Sequence, residues 1–317
     1  MGMKALNKRI DFSVVVPVKN ERDNLRRLYN KVRYAISRMN KTFEMIIVDD
    51  GSTDGTWSEI SNLHKFDPRV RGIRFQKNFK KSAALSAGFR EAKGKYIITM
   101  DGDLQDDPSE IPKFYAKLQK GYDIVIGWKY IRHDPITKTF PSKIFNWLVR
   151  RLLKLKTHDA DCGFKMFRKE IIEHLYLYGD HYRYIPALAH NKGFRLGEVK
   201  VRHRKRKYGK TKYGFSRLFT GTFDLITVKF LISYFKRPLH FFGMIGFLFS
   251  LLGFLAGLYL LLVKFIFGQI IGNRPLLLLA ILLIVLGVQF ISLGLIGEMI
   301  ANVKKEEKYY VIKEKLI

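Results

Sequence analysis

Lys95-Tyr-Ile-Ile-Thr-Met-Asp-Gly-Asp-Leu-Gln-Asp-Asp-Pro108 joins an apolar run to a cluster of acids. Tyr96 to Met100 is an apolar, β-rich run the length of one buried strand, bounded by Gly94 and Gly102. It ends in acid. Alternate side chains of an extended chain share a face, so Asp101, Asp103 and Gln105 can present oxygens to one point just beyond the strand's carboxyl end. Open α/β sheets bind ligands at that edge. Carboxylate and amide oxygens suit a hard cation such as Mg²⁺ or Mn²⁺, which keeps coordination positions for the phosphates of a nucleotide. A structural role explains the rest of the stretch: Asp107 as an N-cap, Pro108 as the first helical residue and Glu110 as the capping-box partner. Asp106 and Asp107 are therefore given mainly to structure, and a metal site at Asp101 and Asp103 is preferred to a solvated turn.

The same grammar runs outward from this stretch. Phe12 to Val18 is an apolar run closed by Pro17, followed by Lys19-Asn-Glu-Arg-Asp23 and a helix carrying Leu25, Leu28 and Val32. Phe43 to Val48 repeats the strand and again stops in acid, Asp49-Asp50-Gly-Ser-Thr-Asp-Gly55, where Ser52 or Asp54 can cap the next helix. Val70 to Phe75 is a third strand, then the basic loop Lys77-Asn-Phe-Lys-Lys81 and an Ala-rich helix from Ser82 to Ala92; cations beside a helix N-terminus suit an anion as well as solvent. Asp123 to Gly127 is a fifth strand, and His181 to Leu188 with Phe194 to Val201 completes the domain. Strands alternating with helices predict an α/β, doubly wound, mostly parallel sheet with acidic loops at one edge.

Composition narrows the partners. The chain has 317 residues and a net charge of +29, from 57 Lys and Arg against 28 Asp and Glu, so nucleic acid, an anionic membrane face and phosphorylated substrates all qualify. Cys162 is the single cysteine, which excludes an internal disulfide and suits a small buried residue. Met1 to Asp11 has no signal-peptide core, which predicts a cytoplasmic N-terminal domain.

Pro17-Val-Lys-Asn-Glu21, Val48-Asp-Asp-Gly-Ser-Thr-Asp-Gly55, Lys77-Asn78 and Met100-Asp-Gly-Asp-Leu-Gln-Asp-Asp-Pro108, in this order and with these gaps, resemble glycosyltransferase family 2. Within it they are most similar to the polyprenyl-phosphate group, which includes dolichyl-phosphate mannose synthases and undecaprenyl-phosphate glucosyltransferases. The resemblance implies a GT-A fold, with Pro17, Lys19, Glu21, Asp49 and Asp50 around base and ribose and Lys77 and Gly102 beside the donor. Asp101 would face the donor sugar or ribose, and Asp103 and Gln105 would hold the metal. Lys80 stands where the family usually has Gly, and Gly102 where it often has Ala. Asp159, in His158-Asp-Ala-Asp-Cys-Gly-Phe-Lys-Met-Phe167, matches a family acid near the reacting centre, with Asp161 as the alternative; either could instead only neutralise lysines. The basic segment Arg202 to Tyr213 resembles a family element that contacts donor or acceptor phosphate, here through Arg204, Arg206, Lys210 and Lys212. An electrostatic patch on an anionic leaflet explains the same charges.

The chain then turns apolar. Pro141 to Leu155 predicts a basic amphipathic helix, and Phe215 to Tyr234, interrupted by Arg217, Asp224 and Lys229, predicts a helix lying along the interface. Phe241 to Val263 and Pro275 to Gly297 are uncharged and long enough to span a bilayer. Lys and Arg before the first, with Lys304, Lys305 and Lys308 after the second, predict a hairpin with both ends cytoplasmic. The expected division is a catalytic domain over 1–201, a basic juxtamembrane element over 202–237, the hairpin over 238–300 and a cytoplasmic tail over 301–317.

These features together predict metal-dependent transfer of a hexosyl unit from a nucleoside diphosphate sugar to a polyprenyl phosphate, and the resemblance implies inversion at the sugar carbon, giving a β-linked lipid-phosphate sugar. UDP-glucose is favoured over GDP-mannose. Asp101 and Asp159 would be catalytic, with Lys129 and Arg132 holding phosphates. A processive polysaccharide synthase is disfavoured, because neither Trp57, Trp128 nor Trp147 follows an Arg. A noncatalytic polybasic scaffold is the remaining alternative; nucleic acid is not an expected partner, since the basic segment has few interleaved aromatics. The sequence is compatible with a homo-oligomer.

Overall fold

The computed structural model of the chain describes residues 10–130, 151, 157–159, 162–175, 181–202, 227, 229–230, 237–268, 270–272, 274–302 and 312–316. The chain divides into two compact units, Met1–Val228 with Lys308–Ile317, and Lys229–Glu307.

The first unit follows the strand–helix alternation. β1 (Phe12–Val18), α1 (Arg22–Ser37), β2 (Phe43–Asp49), α2 (Thr56–Phe66), β3 (Val70–Phe75), α3 (Lys80–Glu91) and β4 (Tyr96–Thr99) form the first half. α4 (Ile111–Gln119), β5 (Ile124–Lys129), β6 (Lys165–Arg168), α5 (Ile185–Asn191) and β7 (Leu196–Val201) form the second. Val14, Val15, Val16, Ile46, Ile47 and Val48 have no exposed surface, as expected for strands covered on both faces. Leu25, Leu28, Val32 and Ile36, at helical spacing, seat α1 on them.

Among the described residues the sheet has 8 strands in the order β7-β5-β6-β4-β1-β2-β3-β8, where β8 is Ile312–Leu316. β1 pairs in parallel with β2 and β4, β2 with β3, and β5 with β7. β6 runs antiparallel between β4 and β5, and β8 antiparallel along β3. The tail expected from sequence thus contributes an edge strand to the sheet. Asp107 caps the turn Pro108–Glu110 by accepting from the Ser109 amide, as expected, whereas Glu110 pairs with Lys113.

The second unit is a helical hairpin of α6 (Pro238–Phe267) and α7 (Pro275–Asn302), each longer than the expected span inside it. Only 17% and 11% of their most apolar windows are buried, where a core helix of a water-soluble protein would be mostly covered. Phe247, Phe254, Leu258 and Leu282 point outward, a surface that suits lipid. The helices meet at small residues: a Cβ on Gly246 would lie 2.5 Å from the Gly287 carbonyl oxygen, and one on Gly253 2.7 Å from that of Ala280. Glu298 accepts the Leu239 amide at 3.2 Å, capping the start of α6.

Candidate active site

The carboxyl ends of β1 and β2 lie side by side, with Val18 opposite Asp49. The loops beyond are stitched together: the Asn20 amide donates to Ser52 Oγ at 2.9 Å, the Thr53 amide to Asn20 Oδ1 at 2.9 Å and the Glu21 amide to Thr56 Oγ1 at 3.0 Å. Asp49 has no exposed surface; its Oδ1 accepts the Ser52 amide at 2.9 Å, while its Oδ2 has no hydrogen-bond partner and lies 3.9 Å from Arg74 Nε. Burial pushes the Asp49 carboxyl above its usual range against the pull of Ser52 and Arg74. A buried acceptor left unsatisfied is the kind of atom a ligand's hydroxyl or N–H completes. Asp50 accepts the Phe79 amide at 2.6 Å, and burial pushes its carboxyl up to about 6 although Lys19 opposes the shift. The buried Glu21 carboxylate takes Asn24 Nδ2 at 2.7 Å. Pro17 and Lys19 are half-buried, and Lys77 is exposed with its ammonium 5.4 Å from the Phe79 ring centre.

The loop after β4 carries the acids. Gly102 lies against β1, where a Cβ would come 2.7 Å from Val18 Cγ1. Leu104, at φ 61°, takes a left-handed conformation that costs about 1–3 kcal/mol and turns the chain so that Asp103 Oδ1 accepts the Gln105 amide at 3.1 Å. Asp103 and Gln105, both half-buried, form one turn. Among the described residues no three His, Cys, Asp or Glu side chains group to hold a metal. The Asp103–Gln105 pair nevertheless fits Mg²⁺ or Mn²⁺: hard oxygen donors are present, and such ions take one or two protein carboxylates and complete their shell with substrate phosphates and water.

Beside that turn, charges of both signs are packed together. Asp101 forms a salt bridge with Lys81, whose ammonium also lies 4.8 Å from the Tyr182 ring centre. Burial works to raise the Asp101 carboxyl, but the charges of Lys81, Lys129 and Lys165 outweigh it and hold it below its usual value. Asp106 and Asp159 are buried at 3% and 2% exposure, which rules out a solvated-acid role for either. Burial raises the Asp106 carboxyl despite Lys129. Burial works to lower the Lys129 ammonium, but neighbouring Cys162, Asp106, Asp159 and Asp101 together outweigh it and hold it above its usual range. Lys165, itself buried, donates to the Cys162 carbonyl. Cys162 is buried, as expected, and burial pushes its thiol up to about 12, which leaves it unreactive.

Asp101, Lys129 and Asp159 share one electrostatic cluster, and Asp49 and Asp50 follow one another at the carboxyl end of β2, beside the end of β1. Asp106, assigned to structure from its sequence position, belongs to the charge cluster; burial beside Lys129 puts it there. Arg132, Asp161, Arg204, Arg206, Lys210 and Lys212 lie outside the described residues, as do 141–150, 152–155 and most of the expected interfacial helix. Lys81, Arg74, Lys165, Tyr182 and Glu198 had no assigned role. Their side chains reach the site only through tertiary packing, and Lys81 alone carried a signal, as part of the basic loop ahead of α3.

Residues 13–176 match glycosyl transferase family 2. Dodecaprenyl-phosphate galacturonate synthase of Rhizobium johnstonii is 39% identical over 301 residues, 92% of this chain and 88% of that protein. Undecaprenyl-phosphate 4-deoxy-4-formamido-L-arabinose transferase of Shewanella sediminis is 35% identical over 314 residues, 96% and 93% of the two chains. Glucosyl-3-phosphoglycerate synthase of Mycobacterium tuberculosis, solved with Mn²⁺ and UDP-glucose, superposes with a TM-score of 0.53 at 18% identity over 70% of this chain and 79% of that one. At that identity the likeness shows the fold alone, a GT-A sheet. The chain therefore belongs to glycosyl transferase family 2 and is a glycosyltransferase.

Proposed function

We propose that this enzyme transfers a glycosyl unit from a nucleoside diphosphate sugar to the phosphate of a polyprenyl phosphate at the cytoplasmic membrane face, using Mg²⁺ or Mn²⁺. The observation that carries this reading is the packing of Asp101, Asp106 and Asp159 with Lys81 and Lys129 beside the Asp103–Gln105 turn at the carboxyl edge of the sheet. Such a site can face two phosphate-bearing reactants and still hold a leaving group. The polyprenyl acceptor is supported by the acceptors of the named relatives, which align along nearly the whole chain, and by the hairpin.

In the proposed reaction an acceptor phosphate oxygen bonds to the anomeric carbon from the side opposite the nucleoside diphosphate. The bond from that carbon to the diphosphate oxygen breaks, and the electron pair stays on the diphosphate. A phosphate monoester with a second pKa of about 6 is already mostly ionised at neutral pH, so no strong base is required. Asp159 orients the acceptor, Lys129 screens the two anions from each other, and Asp101, held ionised by Lys81, faces the donor sugar or ribose. Asp49 and Asp50 take the nucleoside. A divalent ion held by Asp103 and Gln105 would neutralise charge on the departing diphosphate. Arg132, Arg204, Arg206, Lys210 and Lys212 are proposed to complete the phosphate contacts.

The chain leaves the catalytic unit for the hairpin and rejoins its sheet as β8. A segment that departs from and returns to one folded unit crosses a bilayer an even number of times, which supports two crossings with both ends on the catalytic side. For the donor, UDP-glucose competes with nucleoside diphosphates of galacturonate and 4-deoxy-4-formamido-L-arabinose, the sugars in the relatives' names. The test incubates detergent-purified protein with polyprenyl phosphate and each labelled donor, GDP-mannose included. One donor yielding organic-soluble label supports the reading; none doing so in the presence of metal overturns it.

A further inference from the structure

Ile126 and Trp128 of β5 stand opposite Glu198 and Lys200 of β7, so these side chains share one sheet face and Lys129 points to the other. The short segment 157–159 wraps this edge. His158 stacks on Trp128, ring centres 4.0 Å apart at 11°, whereas Asp159 is buried and its charge acts on Lys129. Between these two outcomes sits Glu198. Its Oε1 accepts the backbone amides of His158 at 2.5 Å and Asp159 at 3.1 Å, and its Oε2 meets His158 Nδ1 at 2.8 Å. Consecutive amides turned towards one anionic oxygen form a charge-assisted clamp on the backbone.

We propose that Glu198 is a positioning residue for Asp159: its carboxylate, braced by the His158–Trp128 stack, fixes the 158–159 backbone so that the aspartate is aimed at the Lys129 cluster. This rests on the role proposed above for Asp159 in orienting the acceptor. The geometry grades the substitutions. Ala removes the clamp, and Gln keeps an oxygen for the two amides while losing the charge. A displacement of about 1 Å at a reacting group costs on the order of a hundredfold in rate, so Glu198→Ala is expected to lower kcat by about ten- to a hundredfold, with donor KM within about twofold of wild type. Glu198→Gln recovers most of the loss. In an Asp159→Asn background, Glu198→Ala adds less than about twofold, because residues that act as a unit are non-additive.

The experiment measures kcat and donor KM for the full-length protein, the single variants and the double variant, with nucleoside diphosphate affinity reporting that the pocket is folded. Multiplying losses in the double variant, or a change in KM alone, overturns the proposal. Asp159→Asn at wild-type turnover removes the role of Asp159 and the clamp with it. Asp159→Asn impaired beside Glu198→Ala at wild-type turnover overturns the clamp alone. Should Glu198→Ala not fold, Glu198→Met, which fills the same space without an acceptor for the two amides, decides: reduced kcat that is silent in the Asp159→Asn background supports the clamp, and wild-type kcat overturns it.

Discussion

Replacing Glu314 by Ala tests whether the last strand serves the nucleotide pocket or only covers a sheet edge. Glu314 stands opposite Arg74 in the β3–β8 pairing; its carboxylate accepts Trp57 Nε1 at 2.7 Å and pairs with Arg74 Nη1 at 3.3 Å. Arg74 in turn lies 3.9 Å from Asp49, whose Oδ2 has no hydrogen-bond partner. A charge-assisted hydrogen bond contributes about 1.5–3 kcal/mol. With the Glu314 side chain 45% and Arg74 26% exposed, solvent screening reduces that to about 1 kcal/mol. The guanidinium then loses its fixed direction beside Asp49, and nucleoside diphosphate affinity falls about fivefold, the equivalent of that energy. Calorimetric titration of the detergent-solubilised protein reads this directly, with kcat expected to stay within about twofold. Lys315→Ala is the control, since Lys315 on the same strand pairs with Glu91, which also pairs with Arg71 and not with the pocket's Arg74. Unchanged affinity in Glu314→Ala, or equal losses in both variants, would refute the coupling of strand to pocket.

Further outcomes follow from the buried acids and tight contacts. The Asp50 carboxyl, pushed up to about 6 from an ordinary 3.8, contributes stability that is complete below about pH 4 and is lost as pH rises through about 6, an effect of about 3 kcal/mol. Asp50→Asn removes this slope, so thermal melts should show the variant gaining on wild type at pH 8 and matching it at pH 4; parallel melting curves across that range contradict the shift. A Cβ on Gly163 would lie 2.8 Å from Asp101 Oδ2. Gly163→Ala should therefore displace Asp101 and lower turnover by tenfold or more while the fold melts normally, on the order expected for a sub-ångström to 1 Å shift. Gly246→Leu should push α6 and α7 apart, seen as loss of protection in hydrogen exchange of the hairpin, with nucleoside diphosphate affinity unchanged.

Local signals made much of this protein legible. β2 and β4 are apolar runs that stop in acid, so both strand and edge chemistry could be read within a few residues of each other. β6 could not be read the same way: Lys165-Met-Phe-Arg168 is short and charged at both ends, and its antiparallel place between β4 and β5 depends on partners far away in sequence. Ile312-Lys-Glu-Lys-Leu316 reads as a charged tail, and becomes a strand only because β3 offers an open edge. The site divides likewise. Asp101 and Asp103 announce themselves by position beyond a strand, whereas Lys81, Arg74 and Glu198 acquire meaning from what they face. Asp106 shows the limit of a capping argument: the local turn explained its presence, and burial beside Lys129 gives it a second role.

In the proposed reaction Asp103 and Gln105 would hold the ion that neutralises charge on the nucleoside diphosphate as it leaves and a lipid phosphate takes its sugar. The most direct measurement follows organic-soluble label from the preferred donor in wild type and Asp103→Asn, each with and without a chelator, beside nucleoside diphosphate affinity. Wild type should transfer label only when Mg²⁺ or Mn²⁺ is supplied, and the variant should lose transfer under every condition. Metal should also tighten nucleoside diphosphate binding in wild type and not in the variant. Transfer that survives both the chelator and the loss of the Asp103 carboxylate would contradict the account.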